Sequence, residues 1–186
     1  MKTMSSVKKI CLCSICIALC YVLPIACHSL GLGKVLSPLH IPALLCGLIC
    51  GGFYGMFCGI AGPILSSLLS GMPTTTGLIT MVPEIMVYGL VTGLMMKWIR
   101  TGKLSADLYL SLGCAMLLGR VVGGIAKALF VSLLASGEVF NLAVWATGYF
   151  VVTFPGILVH LILVPVLVVA LMKAKLIPAR YPGEEA

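Results

Sequence analysis

The sequence predicts an all-α integral membrane protein, a compact bundle of six transmembrane helices. The 186-residue chain is 61% hydrophobic and only 9% charged, with a mean hydropathy of +1.19, whereas about one quarter of a soluble domain is charged. Its apolar residues also form blocks close to the ~20 residues that cross the hydrocarbon core of a bilayer. Most of the surface is therefore expected to face lipid, with no separate aqueous domain.

Six crossings follow from the order of these blocks. The block at residues 41–70 is too long for one crossing and too short for two joined by an ordinary loop. We therefore expect Gly51 and Gly52 to divide it into a short helix and a longer one. The other predicted helices are residues 10–26, 78–96, 108–134 and 149–172. Residues 10–172 then form the membrane domain, between cytoplasmic segments at residues 1–9 and 173–186.

The basic residues predict the orientation, because Lys and Arg collect in cytoplasmic segments. With the N-terminus inside, the only basic residue in an outer segment is Lys34, while Arg120 and Lys127 lie within the fifth helix. The basic residues assigned to the inside are Lys2, Lys8, Lys9, Lys97, Arg100, Lys103, Lys173, Lys175 and Arg180. This asymmetry favours cytoplasmic ends, and it explains the net charge of +7 without nucleic acid.

The first helix is expected to be retained and to pack through small residues. Lys8 and Lys9 before an apolar run resemble a signal peptide, but Pro24 and Ile25 do not suit processing before Ala26.

The chain has 9 cysteines, which lie in or beside apolar stretches and are expected to behave as small hydrophobic residues. No metal site is expected, since the cysteine-rich start of the helix has no polar partners nearby.

Three charged residues fall within predicted helices, where charges are costly and are candidates for function: Glu84, Arg120 and Lys127. Arg120 and Lys127 share a helix face, and the two glycines between them are expected to leave room for a ligand. Glu84 shares a face with Tyr88. We interpret this set as a binding site for an anionic ligand, although an ion pair between Glu84 and one of the cations is an alternative.

Other polar residues are placed at the outer ends of the predicted helices. His40, Asn141 and Trp145 are expected to join the charged residues around an outward-facing cavity. His160 is isolated on an apolar helix and is interpreted as a packing residue.

No enzyme signature is present. The segment from Gly31 to Lys34 lacks the spacing of a phosphate-binding loop, and there is no zinc-protease motif, nucleophile elbow or pair of nearby carboxylates. We therefore expect no catalytic residue, metal or cofactor. Any active transport must draw energy from a partner or an ion gradient.

Several of these features together resemble a known family. Six short helices, a first helix rich in small residues, the stretch from Leu36 to Gly52, the Gly71-Met72-Pro73 turn and Glu84 with Tyr88 are similar to the substrate-binding S components of energy-coupling factor (ECF) vitamin transporters. This resemblance implies capture of a vitamin or related micronutrient at the bacterial plasma membrane.

The resemblance also implies partners, namely a transmembrane T component and two ABC ATPase subunits that hydrolyse ATP. Family members dock through an Ala-x-x-x-Ala motif on the first helix, and the matching positions here are Ser14 and Ala18. The family's pocket is built from the first loop and the last three helices, which contain the candidate residues. The charges favour an acid such as pantothenate or nicotinate.

Three other functions remain open from the sequence. A self-sufficient secondary transporter or channel would need an ion-coupling site and often has an inverted repeat, which is not evident. A small membrane enzyme would need an acid–base or metal constellation. A membrane scaffold or assembly protein without a ligand would use Glu84 and the cations only as an ion pair.

Overall fold

The computed structural model describes residues 4–29, 31, 37–134 and 141–181, and every regular element within these ranges is helical. The α-helices are α1 (Ser6–Ser29), α2 (His40–Cys50), α3 (Gly52–Ser70), α4 (Thr75–Trp98), α5 (Leu104–Leu134), α6 (Leu142–Ala146) and α7 (Phe154–Lys173), with a π-helical turn at Thr147–Val152 before α7. Lys2 and Lys34, which the sequence assigned to polar segments, lie outside the described residues.

Five helices of the described chain are long and apolar enough to cross a membrane: α1, α3, α4, α5 and α7. This supports a multi-pass membrane protein, but the predicted count of six crossings is not confirmed. The difference lies in α2, whose 11 residues extend about 16 Å, roughly half the thickness of the hydrocarbon core. The predicted last helix also begins differently, because residues 149–152 belong to the π-helical turn.

The break between α2 and α3 is where the sequence placed it. Gly51 adopts φ = 102°, a conformation that side-chain-bearing residues rarely adopt. Its N–H donates a hydrogen bond of 3.1 Å to the Gly47 carbonyl, and its own carbonyl accepts one of 3.0 Å from Gly55. One glycine therefore ends α2 and begins α3 without a loop.

Glycines bring α2, α3 and α4 into backbone contact. A Cβ atom added to Gly47 or Gly55 would collide with the carbonyl of Gly89 on α4. An added Cβ at Gly93 would likewise collide with the backbone of Gly52. The small-residue spacing in the sequence thus corresponds to close helix packing, which in membranes replaces the hydrophobic driving force between helices.

Helix α1 covers one side of this group through its cysteines. Cys13, Cys16 and Cys20 are buried and pack with cysteines of α2 and α3, among them Cys46 and Cys58. All of these thiols are free. They fill the interface as small apolar groups, as the sequence predicted, and the described residues contain no group of three or more His, Cys, Asp or Glu arranged for a metal ion.

Two residues after α7, Arg180 and Tyr181, bind the start of α5 at the predicted cytoplasmic end of the bundle. Asp107 at the start of α5 is fully buried (0% exposed), and Arg180 Nε lies 2.7 Å from its Oδ2 atom. The Tyr181 hydroxyl donates to the same oxygen at 2.6 Å, while Thr101 donates to Oδ1 from its backbone N–H at 2.9 Å and its hydroxyl at 2.7 Å. We call these four residues the tail clasp. The sequence treated this segment as a simple polar tail and did not single out Asp107.

Candidate ligand-binding site

The middle of α4 carries the buried acid. Glu84 is only 4% exposed, and Tyr88, one turn later, donates a hydrogen bond of 2.6 Å to Glu84 Oε1. The predicted shared face of these two residues is therefore a direct contact. Both side chains point toward α5, where glycines leave space for them.

The glycines of α5 do not leave the open face that the sequence predicted. A Cβ atom added to Gly119 would collide with the Tyr88 ring, and one added to Gly123 would lie 2.9 Å from Glu84 Oε2. An added Cβ at Gly124 would collide with the indole of Trp145. The space opposite these glycines is occupied by the protein's own side chains.

Two histidines extend the site toward α2 and α7. His40, the first residue of α2, is buried, and its Nε2 lies 3.9 Å from Glu84 Oε1. Its ring meets the Tyr88 ring edge-on at a centroid distance of 4.9 Å, and the His160 ring at 5.6 Å. Neither ring nitrogen of His40 has a hydrogen-bond partner among the described residues. His160, interpreted from the sequence as a packing residue, is buried against this cluster.

Arg120 on α5 is held by the segment before α7. Its side chain is 3% exposed, and one guanidinium nitrogen donates a hydrogen bond of 2.8 Å to Thr153 Oγ1. Thr153 in turn donates to the Tyr149 carbonyl at 2.6 Å, and the guanidinium carbon lies 5.5 Å from the centre of the Phe150 ring. Arg120 Nε is buried and has no hydrogen-bond partner in the described chain.

Glu84 forms no ion pair with Arg120 or with Lys127. Among the residues that the structure describes, the pair of a lysine or arginine with a carboxylate is Arg180 with Asp107, while the His40 imidazole, which is charged only when protonated, lies 3.9 Å from Glu84. Arg120 nevertheless lies near Glu84, because it stands between Gly119 and Gly123 on α5, and Cβ atoms added to those glycines would meet Tyr88 and Glu84. The direct-pair alternative is therefore wrong in its geometry: the site holds a cation and an anion near one another without joining them.

The remaining predicted residues are placed differently. Lys127 is half-buried on α5 and forms no ion pair with a carboxylate of the described residues. Asn141 is exposed and caps α6, where its Oδ1 accepts hydrogen bonds from Ala143 at 2.9 Å and Val144 at 3.2 Å. Trp145 packs against Tyr149 and Phe150, with ring centroids 5.5 and 5.9 Å away, and its indole nitrogen is buried without a partner in the described chain.

Sequence reasoning missed the residues that hold Arg120. Thr153 is 33 positions away from Arg120, and no local pattern connects the two. Tyr149 and Phe150 lie on a π-helical turn, which hydrophobic periodicity does not predict, although such turns occur frequently at functional sites.

The residues predicted to dock a partner lie on the open side of α1. Ser14 and Ala18 are both exposed, and the Ser14 hydroxyl donates back to the Ile10 carbonyl at 3.0 Å. The buried cysteines occupy the opposite side of the helix. Ser14 and Ala18 are therefore accessible on this chain.

A separate cavity lies nearer the predicted outer end of the bundle. It has a volume of about 400 Å³ and is lined by α1, the segment just before α2, the turn between α3 and α4, and α4. His28, Leu39, Pro73 and Met81 contribute to its wall. Among the described residues, this wall contains none of the predicted site residues.

Comparison with known proteins identifies one family. Residues 8–168 match a family model described as the substrate-specific component of ECF transporters. No curated protein and no solved structure gives a significant match.

Proposed function

We propose, from the premise that the chain belongs to the ECF transporter substrate-specific component family, that it captures an anionic micronutrient at Arg120. A vitamin-sized acid of the pantothenate or nicotinate kind has the required chemistry. The chain itself is a transporter subunit rather than an enzyme, and its ligand is cargo that is not chemically changed.

The observation that carries this proposal is the state of Arg120. A guanidinium group has five N–H donors, yet within the described residues Arg120 has one hydrogen bond, no carboxylate partner and a buried Nε without an acceptor. A charge buried in a membrane is costly unless it is paired or serves a function. An incoming carboxylate or phosphate would supply the missing acceptors, and Arg binds such groups in a bidentate manner.

We further propose the surroundings in which this capture occurs. The protein lies in the plasma membrane of a bacterial cell with both ends in the cytoplasm, because the basic residues favour that side. Its partners are a transmembrane T component and two ABC ATPase subunits, which supply the ATP hydrolysis that this chain lacks. The exposed small residues Ser14 and Ala18 on α1 are the proposed contact with the T component.

Replacement of Arg120 tests the binding role. Binding of radiolabelled pantothenate and nicotinate to purified protein is measured for the wild type, Arg120→Gln and the control Arg100→Gln, which alters an exposed arginine. We expect Arg120→Gln to weaken binding of the bound acid at least tenfold, or about 1.4 kcal/mol, with no change in the control. Equal affinity in all three proteins would refute the proposed site, and uptake by the chain alone in energised vesicles would favour a secondary transporter.

A further inference from the structure

The two opposite charges of the site are held separately, each by its own hydroxyl group. Tyr88 donates to Glu84 Oε1, and Thr153 accepts from Arg120. Thr153 gives its only hydroxyl proton to the Tyr149 carbonyl, so its oxygen is oriented to accept from the guanidinium. These contacts fix both charged groups without neutralising either of them.

Both groups keep unused hydrogen-bonding capacity. A carboxylate offers about four acceptor positions, and Glu84 receives one hydrogen bond among the described residues, with His40 Nε2 farther away at 3.9 Å. Arg120 keeps a buried Nε–H without an acceptor in the described chain. The site therefore presents free donors on one side and free acceptors on the other, both at buried positions.

A ligand that is only an acid does not suit this arrangement. Its anionic group at Arg120 would also experience Glu84, because Arg120 lies between Gly119 and Gly123 on α5, and Cβ atoms added to those glycines would meet Tyr88 and Glu84. Two anions held close together in this weakly screened interior repel each other. A ligand that also carries a hydrogen-bond donor, whether an ammonium, amide or hydroxyl group, would satisfy Glu84 and offset this repulsion.

We infer that the site takes a small bifunctional molecule, which presents an anionic group to Arg120 and a hydrogen-bond donor to Glu84. His40 borders the donor side, and its ring nitrogens have no partner among the described residues. This inference rests on the proposed function, since it requires that Arg120 bind a ligand. The inference adds one requirement that the family assignment does not contain, namely a hydrogen-bond donor on the ligand that faces Glu84.

Small fragments can test the two halves of the ligand separately. The probes are propionate, propylamine and β-alanine, which carry an acid, an amine and both groups, together with the longer amino acids 4-aminobutyrate and 5-aminopentanoate. The readout is saturable thermal stabilisation of the purified protein at millimolar probe concentrations, because a ligand that binds only the folded state raises its stability. We expect at least one amino acid to stabilise the protein more than an equimolar mixture of propionate and propylamine.

Variants assign each half of the fragment to its residue. Arg120→Gln should abolish the response to every acid, whereas Glu84→Gln should reduce the amino-acid response to that of propionate alone. Thr153→Val and Tyr88→Phe keep the charges and remove only the hydroxyl groups that hold them, and each should weaken the amino-acid response by a smaller factor. These two milder variants keep the test valid if a charge-removing variant does not fold.

The outcomes separate this inference from the proposed function. A propionate response equal to that of the amino acids, and unchanged by Glu84→Gln, would overturn the requirement for a donor at Glu84 while Arg120 remained a binding residue. Responses that do not change in Arg120→Gln, or no saturable response to any acid, would overturn both. An amino-acid preference that requires Glu84 and Arg120 together would establish the inference.

Discussion

Breaking the tail clasp should destabilise the protein without weakening ligand binding. The informative substitution is Arg180→Met, which keeps most of the aliphatic length and removes the guanidinium group from Asp107. Removal of one partner of a buried ion pair typically costs about 3–5 kcal/mol. Asp107 is fully buried, but Arg180 is partly exposed, and three hydrogen bonds to the carboxylate from Thr101 and Tyr181 remain. We therefore expect a loss nearer 2–3 kcal/mol.

The assay is thermal unfolding of the purified protein in detergent. For a chain of this length 1 kcal/mol corresponds to about 2–4 °C, so Arg180→Met should lower the midpoint by roughly 5–10 °C. The matched control is Lys173→Met, an exposed cation at the same end of the bundle, which should change the free energy of unfolding by less than about 0.5 kcal/mol. Equal midpoints for the two variants would refute the reasoning.

Two further measurements show whether the clasp acts as a pair and acts locally. In a double-mutant cycle, Asp107→Asn combined with Arg180→Met should cost less than the sum of the single substitutions, because no unpaired charge remains. Ligand affinity should not change, because the tail clasp is far from the candidate site. Glu84 lies about 20 Å along α4 from Trp98, the last residue of that helix, and Thr101 of the clasp follows Trp98 closely. A large fall in affinity in Arg180→Met would show that the two ends of the bundle are coupled.

Two more predictions concern the helix surfaces. Gly89→Ala should lower the midpoint of thermal unfolding strongly, because the added Cβ would collide with the backbone of Gly55. The control is Gly113→Ala, where an added Cβ meets nothing within 4 Å, and it should be neutral or slightly stabilising. Similar midpoints for the two variants would contradict the described helix contacts. Ala18→Trp should prevent ATP-dependent uptake in cells that contain the ECF partners and leave binding by the purified protein unchanged, and normal uptake would remove α1 from the proposed docking role.

The parts of the fold that were predictable depend on local sequence. The apolar blocks indicated a lipid-facing helical protein, Gly51 marked the break between α2 and α3, and the four-residue spacing of Glu84 and Tyr88 indicated a contact. The short length of helix α2 was harder to predict, because an apolar block does not reveal whether a helix crosses the bilayer or ends within the bundle.

The parts that were not predictable depend on contacts between distant segments. Asp107 and Tyr181 are 74 positions apart, and Arg120 and Thr153 are 33 positions apart. In both cases a charged residue was visible in the sequence, but its partner was a hydroxyl or a tail residue with no distinguishing pattern. Asp107 was overlooked because α5 begins at Leu104, four residues before the predicted start, which makes this acid part of the helix.

The arrangement of α5 explains why its arginine and the acid of α4 do not pair. With 3.6 residues per turn, Gly119 and Gly123 lie about 40° apart and share one face, while Arg120 and Gly124 share the neighbouring face. The first face receives Tyr88 and Glu84 from α4, and Gly124 receives Trp145. Arg120 therefore extends toward Thr153 and the π-helical turn rather than toward α4. A single helix thus holds Glu84 against its backbone and directs Arg120 along an adjacent face, an arrangement that the proposed ligand with two different ends requires.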